Sequence, residues 1–302
     1  WNAANIHVDR IVYRPIVDST VRLANLKAGN LDLIERALAT DIAEIKADPK
    51  LKLATQIEIG YQGLTLNIAN GEGAKTSPFA KSPKVRQALE AAIDRDALSQ
   101  VVFNGEFLPG NQWISARNPY YQQKFPVPKR DMAKAKKLLE EAGLKAPVTV
   151  DFMVPNNPET RQVAEVLQAM AAEAGIDLKI RVTEFATSIK EAEEGRFQAW
   201  LIGWSGRVDP DGNSYIFQKC KAPQNNGNYC DADIDRWHDE ARKVARLDER
   251  KALYEKIAEK YLQEGSIIYL YHRLVIIAHS VKLDGYKQMP DGLVRVVGIK
   301  IR

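Results

Sequence analysis

The sequence predicts an α/β fold in which helices alternate with largely parallel strands. Over residues 131–204 the apolar positions change three times from helical spacing to strict alternation. The helical segments begin at capping residues and end at glycines, as Asp131 and Gly143 illustrate. Strands that alternate with helices form mostly parallel sheets, which bind ligands beyond the carboxyl ends of their strands. The loop after residue 204 lies at such an end.

The first seventy residues predict a smaller unit. A strand at 11–16 leads into a helix from Asp18 to Ala28, which Gly29 closes. Three more elements follow, namely an apolar run at 31–34, a helix at 41–47 and an apolar segment at 64–68. Residues 70–78 are polar and rich in glycine, which predicts a linker.

The remaining elements follow from caps and periodicity. Ser82 and Pro83 start a helix, because serine caps a helix and proline is tolerated in its first turn. A second short helix ends near Gly105. From Asp131 onward the predicted order is a helix, a strand at 148–152, a helix from Asn157, a strand at 176–182, a helix at 188–195, a strand at 199–204, helices at 234–241 and 253–261, and strands at 267–271 and 274–278. The chain returns to the first unit near 266–272, so two crossing strands would form a hinge between two lobes.

Composition and charge exclude several classes of protein. The 302 residues include 43 Lys and Arg and 39 Asp and Glu, for a formal net charge of +4. No basic stripe with interleaved aromatics is present, so nucleic acid is not an expected partner. No apolar run approaches the ~18–20 residues that cross a bilayer, and the longest, at 274–278, predicts one buried strand. The chain opens at Trp1 without a methionine or a signal sequence, so we expect its N-terminus to have been processed, trimmed or cut from a longer protein.

The sequence offers no evident catalytic or metal centre. None of the four histidines has a spacing with Cys, Asp or Glu that suggests a metal cage. Nucleophile-elbow, phosphate-loop and dinucleotide-binding motifs are absent. Asp209 and Asp211 have the spacing that starts a calcium loop, but the acidic ligand expected at its far end is missing. We therefore expect no enzyme, no metal and no cofactor, because a hydrolase acting through these aspartates would lack a general base with an orienting partner.

The loop that follows Trp204 is the candidate ligand-binding site. An indole at a strand end can offer a flat apolar wall, although Trp204 and Trp200 can also both be core packing. Arg207 can form a forked contact with a ligand carboxylate, or it can pair with Asp209 or Asp211. The residue types favour holding a ligand over transforming one.

Two residues at the predicted hinge are further candidates. His272 follows Tyr271, and its imidazole can reach a ligand between the lobes or lie on the surface at a strand end.

His238 stands beside Asp239 and Glu240 on a helix, so we expect it on a solvated face.

Cys220 and Cys230 are the only cysteines of the chain. They are ten residues apart with a turn-like sequence between them, which suits a local disulfide. Such a ring would stabilise the fold by at most ~2–3 kcal/mol and would imply an oxidising compartment. The alternative is two unrelated thiols.

Several short motifs, taken in order, resemble one known family. They are Asp18-Ser19-Thr20-Val21-Arg22 followed by Leu26-Lys27-Ala28-Gly29-Asn30-Leu31-Asp32, Val85-Arg86-Gln87-Ala88-Leu89 with Ile93-Asp94-Arg95, Ala133-Lys134-Ala135-Lys136-Lys137-Leu138-Leu139 with Ala142-Gly143, Gly203-Trp204-Ser205-Gly206 with Asp209-Pro210, and Asn228-Tyr229. At these separations the chain resembles, nearly end to end, the bacterial extracellular solute-binding proteins of family 5. These are the dipeptide-, oligopeptide- and nickel-binding proteins of ABC importers.

The resemblance implies periplasmic-binding-protein type II-like lobes, with mixed sheets flanked by helices. Family members have three lobes around a buried ligand, and this chain would lack the first part and form a truncated clamshell. Residues 1–70 and 273–302 would be the remainder of lobe I, and residues 71–272 would be nearly all of lobe III. The family also carries a disulfide in lobe III, in the region that matches Cys220 and Cys230.

The resemblance also implies roles for the loop residues. In peptide binders of the family, an aspartate three residues after the loop tryptophan holds the amino terminus of the peptide. Arg207 stands at that position here, and it would attract an anion and repel an ammonium group. Trp204, Ser205 and Gly206 match the wall and backbone contacts, while Asp209 could take over the amine role from a shifted position.

The function that the resemblance implies is that of a periplasmic, exported solute-binding component of an ABC importer. Its ligand would be a peptide or a similar small zwitterionic or anionic solute, and Arg161 lies near a region where the family often has basic ligand contacts. The protein would be a monomer that closes two lobes over the ligand and then meets an ABC permease in the inner membrane. The alternative is a ligand-sensing domain of a transcription regulator with the same fold, although the cysteine pair favours export.

Overall fold

Helices make up the outer layers of the molecule. The computed structural model describes residues 2–302, and this part contains twelve α-helices. They are α1 (Ser19–Lys27), α2 (Ile42–Ala47), α3 (Gly71–Thr76), α4 (Pro78–Lys81), α5 (Pro83–Ala92), α6 (Arg95–Phe103), α7 (Met132–Glu141), α8 (Pro158–Glu173), α9 (Phe185–Glu193), α10 (Asp211–Gln218), α11 (Ala232–Ala241) and α12 (Leu247–Glu264). Short 3-10 helices occupy Ala3–Asn5 and Ala39–Asp41. Among the described helices, none combines the length and the apolar character needed to span a membrane.

The strands form two main sheets and a two-stranded ribbon. They are β1 (Leu33–Glu35), β2 (Leu51–Ile57), β3 (Tyr61–Leu66), β4 (Leu108–Pro109), β5 (Val148–Pro155), β6 (Ile176–Thr183), β7 (Ala199–Trp204), β8 (Ile267–His272), β9 (Leu274–Ser280), β10 (Leu283–Asp284) and β11 (Lys300–Ile301). The larger sheet has the order β4-β8-β3-β7-β5-β6, the smaller sheet has the order β1-β9-β2, and β10 pairs with β11.

The predicted alternation of helices and strands over residues 131–204 is confirmed, because α7, β5, α8, β6, α9 and β7 follow in that order. β5 runs parallel to both β6 and β7. β3 runs antiparallel to β7 and β8, so the larger sheet is mixed. Two predicted caps are in place: Asp131 Oδ1 accepts from the N–H of Lys134, and Asn157 Oδ1 accepts from that of Thr160.

One edge of the larger sheet brings the functional segments together. Trp204 at the end of β7 pairs with Tyr61 at the start of β3. β5 is parallel to β7 and therefore ends at this edge, as does β8, which is antiparallel to β3. From the same edge the chain crosses to the smaller sheet twice, through residues 58–60 between β2 and β3 and through Arg273 between β8 and β9.

The two crossing segments are bonded to each other. The N–H of Glu58 donates to the carbonyl of Arg273 at 2.9 Å, and the N–H of Arg273 donates to Glu58 Oε1 at 2.9 Å. The guanidinium of Arg273 also reaches Glu159 Oε1 on α8, at 2.9 Å. Strand β3 pairs within the larger sheet. The predicted domain boundary at residue 70 would instead assign it to the first unit.

The predicted strand at 11–16 is wrong. Within residues 2–302 no strand pairs with this segment, and Ile11, Val12 and Tyr13 are 47%, 58% and 71% exposed. An apolar alternation becomes a strand only where a neighbouring strand takes up its backbone hydrogen bonds.

The predicted linker at 70–78 is also wrong, because α3 occupies most of it and α4 begins at Pro78. Its glycines allow close packing of backbones. A Cβ on Gly73 would lie 2.1 Å from the carbonyl oxygen of Phe197, and one on Gly71 would lie 2.4 Å from that of Glu194. The polar, glycine-rich composition therefore reflects contact with the segment that joins α9 to β7 and does not mark a free connection.

The predicted solvated position of His238 is wrong, because the residue is buried. Its side chain is enclosed by the rings of Tyr215 and Tyr254, with centroids 5.8 and 6.3 Å away. Its Nε2 lies 3.0 Å from Gln218 Oε1, and burial lowers the pKa of the imidazole to about 3. The acidic neighbours in sequence are half-exposed and pair with basic side chains, Asp239 with Lys219 and Glu240 with Arg236.

Candidate functional site

Trp204 lies at the strand edge from which the chain crosses between the sheets, and it is partly buried. Its ring packs edge-to-face on Phe217, with centroids 5.2 Å apart, and its Nε1 donates to Asn213 Oδ1 at 3.1 Å. The guanidinium of Arg207 lies 4.6 Å from the indole centroid. Trp200 is only 4% exposed, so of the two tryptophans Trp200 belongs to the core and Trp204 stands at the strand end.

Arg207 is an exposed cation on this loop, next to the exposed Ser205. Its backbone N–H donates to Asn213 Oδ1 at 2.7 Å, and its Nη1 donates to the carbonyl of Gly206 at 2.7 Å. Within residues 2–302 no carboxylate forms an ion pair with its guanidinium, since the two nearby loop aspartates pair elsewhere. The loop therefore presents an uncompensated positive charge against an aromatic ring.

Both aspartates contact arginines from later in the chain, one on α12 and one directly after α11. Asp209 accepts from Nη1 and Nη2 of Arg250 at 2.8 and 2.7 Å, and these hydrogen bonds hold its pKa below the ordinary value. Asp211 lies 3.4 Å from Arg242, and burial raises the pKa of its carboxyl group. The alternative in which Arg207 pairs with either aspartate is therefore not realised.

Asn213 organises the loop and was not predicted as a candidate from the sequence. Its side chain is fully buried near the start of α10, and its amide contacts backbone or indole groups of Trp204, Arg207 and Ile59. An asparagine inside a helix is unfavourable unless its side chain has a specific partner, because it competes for backbone hydrogen bonds. That rule is the sequence signal that could have identified it.

Arg161 is exposed in the second turn of α8. Because β5 ends at the crossing edge and Asn157 caps α8 directly after it, this arginine belongs to the same edge as the Trp204 loop. The structure therefore places Arg161 and Arg207 at one edge of the sheet. No ion pair of Arg161 occurs within residues 2–302.

Tyr271 and His272 are buried at the hinge and are not exposed at the edge. Tyr271 packs against Phe103 and Phe107, and burial raises the pKa of its hydroxyl group. His272 is 1% exposed, and its Nδ1 lies 2.6 Å from the carbonyl oxygen of Gly60. Burial lowers the pKa of this imidazole to about 4, so it is neutral at pH 7. His272 therefore contacts the first crossing segment, whereas Tyr271 packs on aromatic rings at and after α6.

Cys220 and Cys230 form a disulfide, with their Cα atoms 4.5 Å apart. This confirms the local bridge and excludes two unrelated thiols. Inside the ring, Asn225 donates through Nδ2 to the carbonyls of Lys219 and Tyr229, at 2.9 and 2.7 Å. The bridge thus closes an ordered turn.

Other candidate sites are separate from the loop. Among residues 2–302 no group of three His, Cys, Asp or Glu side chains could hold a metal ion. A groove of about 650 Å³ is lined in part by Asp94, Leu108 and Lys129. A second, of about 360 Å³, is lined in part by Ile42 and Leu274. Neither groove includes a residue of the Trp204 loop.

Comparison with protein families gives one match over most of the chain. The model of the bacterial extracellular solute-binding proteins, family 5 Middle, matches residues 1–226. Heme-binding protein A of Haemophilus influenzae is 30% identical over 97% of this chain and 54% of its own length. Di/tripeptide-binding protein 1 of Pseudomonas aeruginosa is 28% identical over 97% of this chain and 55% of its own length. The chain thus spans about half the length of the curated relatives it matches.

Solved structures share the fold. The periplasmic binding protein DppA from Helicobacter pylori, in complex with the peptide STSA, superposes with a TM-score of 0.85 at 23% identity, over 95% of this chain and 56% of that protein. NikA from Staphylococcus aureus, in complex with Ni(L-His)2, gives a TM-score of 0.83 at 21% identity, over 95% of this chain and 61% of that one. The predicted fold class is therefore confirmed.

Proposed function

Because the chain belongs to the family 5 bacterial extracellular solute-binding proteins, we propose that it is the ligand-binding part of an ABC importer and takes a peptide or similar small solute with an anionic group. The protein acts as a monomer, makes and breaks no bond in the solute, and delivers it to a permease in the inner membrane. Export to the periplasm is consistent with the Cys220–Cys230 disulfide, since such bonds persist in oxidising compartments.

The lobe arrangement that supports this role follows the two sheets. Residues 1–70 and 273–302 carry the smaller sheet and belong to lobe I, and residues 71–272 belong to lobe III, with the exception that β3 lies before residue 70 and pairs in the larger sheet. Only the segments at 58–60 and Arg273 connect β2 and β9 of the smaller sheet to the larger one. Two short crossings of this kind are the usual basis of hinge closure around a ligand.

The observation that carries the anionic preference is the state of Arg207. It is exposed, it lies on the ring of Trp204, and no carboxylate neutralises it within residues 2–302. Asp209, the candidate for an amine contact, is already held by two bonds from Arg250. A second exposed cation, Arg161, belongs to the same edge. A ligand carboxylate would satisfy these charges, whereas an ammonium group would find no free partner among these residues.

The names of two relatives agree with this preference. One is a heme-binding protein and another, from Pectobacterium atrosepticum and 29% identical, is a glutathione-binding protein. Heme and glutathione each carry two carboxylates. Glutathione is therefore a suitable first probe.

The test is calorimetric titration of the protein with glutathione and with its diethyl ester, which lacks both carboxylates. We expect the acid to bind more tightly than the ester, and Arg207→Gln to weaken binding of the acid by about tenfold to a hundredfold, the effect of one charge-assisted hydrogen bond. Arg236→Gln is the matched control, because Arg236 also lies over an indole, that of Trp237, at 5.7 Å. Equal affinity of Arg207→Gln and the unmodified protein for the acid would contradict the proposal.

Native mass spectrometry of protein purified without refolding gives an independent answer. Closed clefts often retain their solute, and its mass identifies its class. A retained solute with a carboxylate or another anionic group supports the proposal. A purely cationic solute contradicts it.

A further inference from the structure

The buried amide of Asn213 joins the Trp204 loop to the first crossing segment. Its Oδ1 accepts from the N–H of Arg207 at 2.7 Å and from the indole of Trp204 at 3.1 Å. Its Nδ2 donates to the carbonyl of Arg207 and to that of Ile59, each at 3.0 Å. One fully buried side chain therefore uses both its donors and both its acceptor positions on groups from the loop and the crossing segment.

The two segments also touch through their backbones. Gly206 has φ +87°, and a Cβ placed on it would lie 2.3 Å from the backbone nitrogen of Gly60. A Cβ on Gly60 would meet the carbonyl oxygen of Trp204 at 1.8 Å. Only glycine permits this approach at either position. The loop thus packs directly on the chain that connects the sheets.

We propose that Asn213 is a positioning residue that makes the ligand loop and the hinge move as one body. When a bound solute displaces Arg207 or Trp204, the planar amide of Asn213 transmits that displacement directly to Ile59. The loop's role in binding comes from the proposed function, but the mechanical connection itself does not depend on which solute binds.

The energetic reason is that the connection is buried. An amide that loses its partners away from water costs more than an exposed one, so loop and hinge separate only with the loss of several hydrogen bonds at once. Loops with exposed hydrogen bonds open independently at much lower free energy. The structure therefore assigns Asn213 to hinge control as well as to loop stability.

The substitution Asn213→Asp tests this with little change of shape. An ionised carboxylate still accepts from Trp204 and Arg207, but it has no hydrogen to donate to Ile59. The matched control is Asn225→Asp in the disulfide ring, which likewise loses two donations to backbone carbonyls and retains acceptance from the N–H of Tyr229. The two variants remove the same chemistry, and only the first touches the hinge.

The measurement is amide hydrogen exchange of the ligand-free protein. We expect the amides of Glu58, Ile59 and Arg273 to exchange about tenfold faster in Asn213→Asp than in Asn225→Asp, the factor for about one lost hydrogen bond. Equal exchange at these amides in the two variants would overturn the proposal. Because no ligand is present, a failure of the glutathione titration leaves this result unaffected.

A second measurement covers the case in which Asn213→Asp does not fold. In the unmodified protein, exchange is followed as denaturant is raised below the unfolding transition. Two amides are compared: that of Arg207, which donates to Asn213 Oδ1, and that of Glu58, which donates to the carbonyl of Arg273. We expect both to open with the same free energy and the same denaturant dependence. Opening of the Arg207 amide at a clearly lower free energy than the Glu58 amide would show that loop and hinge move separately.

Discussion

The carboxylate of Asp209 accepts hydrogen bonds from both terminal nitrogens of Arg250, at 2.7 and 2.8 Å. The two residues are 41 positions apart in the sequence. Arg250 also donates through Nε to the carbonyl of Ala241, and its side chain is only 12% exposed. The aspartate therefore neutralises a mostly buried guanidinium and anchors the Trp204 loop to α12. This contact leaves Arg207 without a carboxylate partner among residues 2–302, which is the state that the proposed anionic preference requires.

Replacing Asp209 with Asn should lower stability but leave glutathione binding unchanged. We expect a loss of about 1 kcal/mol in the free energy of unfolding, a small value because the Asp209 side chain is 57% exposed and screened by solvent. Since the pKa of Asp209 is lowered in the fold, its contribution is present above the unfolded pKa of ~3.9 and is lost as pH falls further. Urea unfolding at pH 7 and at pH 3 measures both effects.

Asp248→Asn is the control for that experiment. Asp248 pairs with Arg246, and both side chains are about 70% exposed, so its replacement should change stability less than Asp209→Asn does. A large loss of glutathione affinity in Asp209→Asn would show instead that this carboxylate contacts the solute.

The sequence was sufficient where the controlling interactions are local. The caps Asp131 and Asn157 act within three residues, and apolar periodicity lies within each segment, so the helix–strand order of residues 131–204 was predictable. One detail differs: Ser188 was expected to open the third helix, but α9 begins at Phe185, capped by Glu184 through the N–H of Thr187. A competing cap four residues earlier explains the shift.

Long-range contacts account for what the sequence could not predict. The Asp209–Arg250 pair and the Asn213–Ile59 bond join residues 41 and 154 positions apart, and no local pattern encodes them. The glycines at 70–78 indicated a linker because their role in backbone packing against Phe197 is also non-local. Candidate residues on the loop were therefore identifiable by type, while their availability to a ligand depended on the fold.

Gly206→Ala should displace the loop from the hinge. The added methyl group faces the backbone nitrogen of Gly60 at 2.3 Å, and φ is +87°, so strain and collision add. We expect a loss of about 3 kcal/mol or more, seen as a lower urea midpoint. Gly143→Ala is the control, because its φ is +72° but nothing lies within 4 Å of the new Cβ, so it should lose only about 1 kcal/mol. Equal losses in the two variants would contradict the close packing of loop and hinge.

Reduction of the Cys220–Cys230 bridge should destabilise the fold by about 2–3 kcal/mol, the loop-closure entropy expected for a ring of this size. The measurement is the free energy of unfolding with and without dithiothreitol. The double variant Cys220→Ser, Cys230→Ser should match the reduced protein and show no response to the reductant. A response of the double variant would mean that the reductant acts elsewhere.

His272 should make stability depend on pH between 6.5 and 4. Its pKa is lowered to about 4 by burial, so in this window the unfolded chain binds more protons than the fold. Its stabilising contribution is complete above pH 6.5 and is lost as pH falls to about 4, by about 3 kcal/mol in total. His272→Asn retains a donor for the carbonyl of Gly60 and should reduce this slope.

The slope should not vanish in His272→Asn, because burial lowers the pKa of His238 as well, to about 3. His7→Asn, at an exposed position, should retain the full slope and serves as the control. Identical pH profiles for His272→Asn and the unmodified protein would place the titration elsewhere.

Glu159→Gln should lower the pKa of Glu58 at the hinge. Burial raises the pKa of Glu58, the positive charge of Arg273 opposes this, and the negative charge of Glu159 adds to the rise. Without that negative charge, the positive charge of Arg273 is no longer opposed by the carboxylate of Glu159 and lowers the pKa of Glu58 further. The side-chain oxygen of the new glutamine can still accept the hydrogen bond from Arg273. Carbon-detected NMR titration of the Glu58 carboxyl group measures the change. Glu165→Gln, exposed on the same helix, should leave that titration unmoved. An unchanged or raised Glu58 pKa in Glu159→Gln would mean that α8 is not electrostatically coupled to the crossing segments, and the hinge would then be governed by its backbone bonds alone.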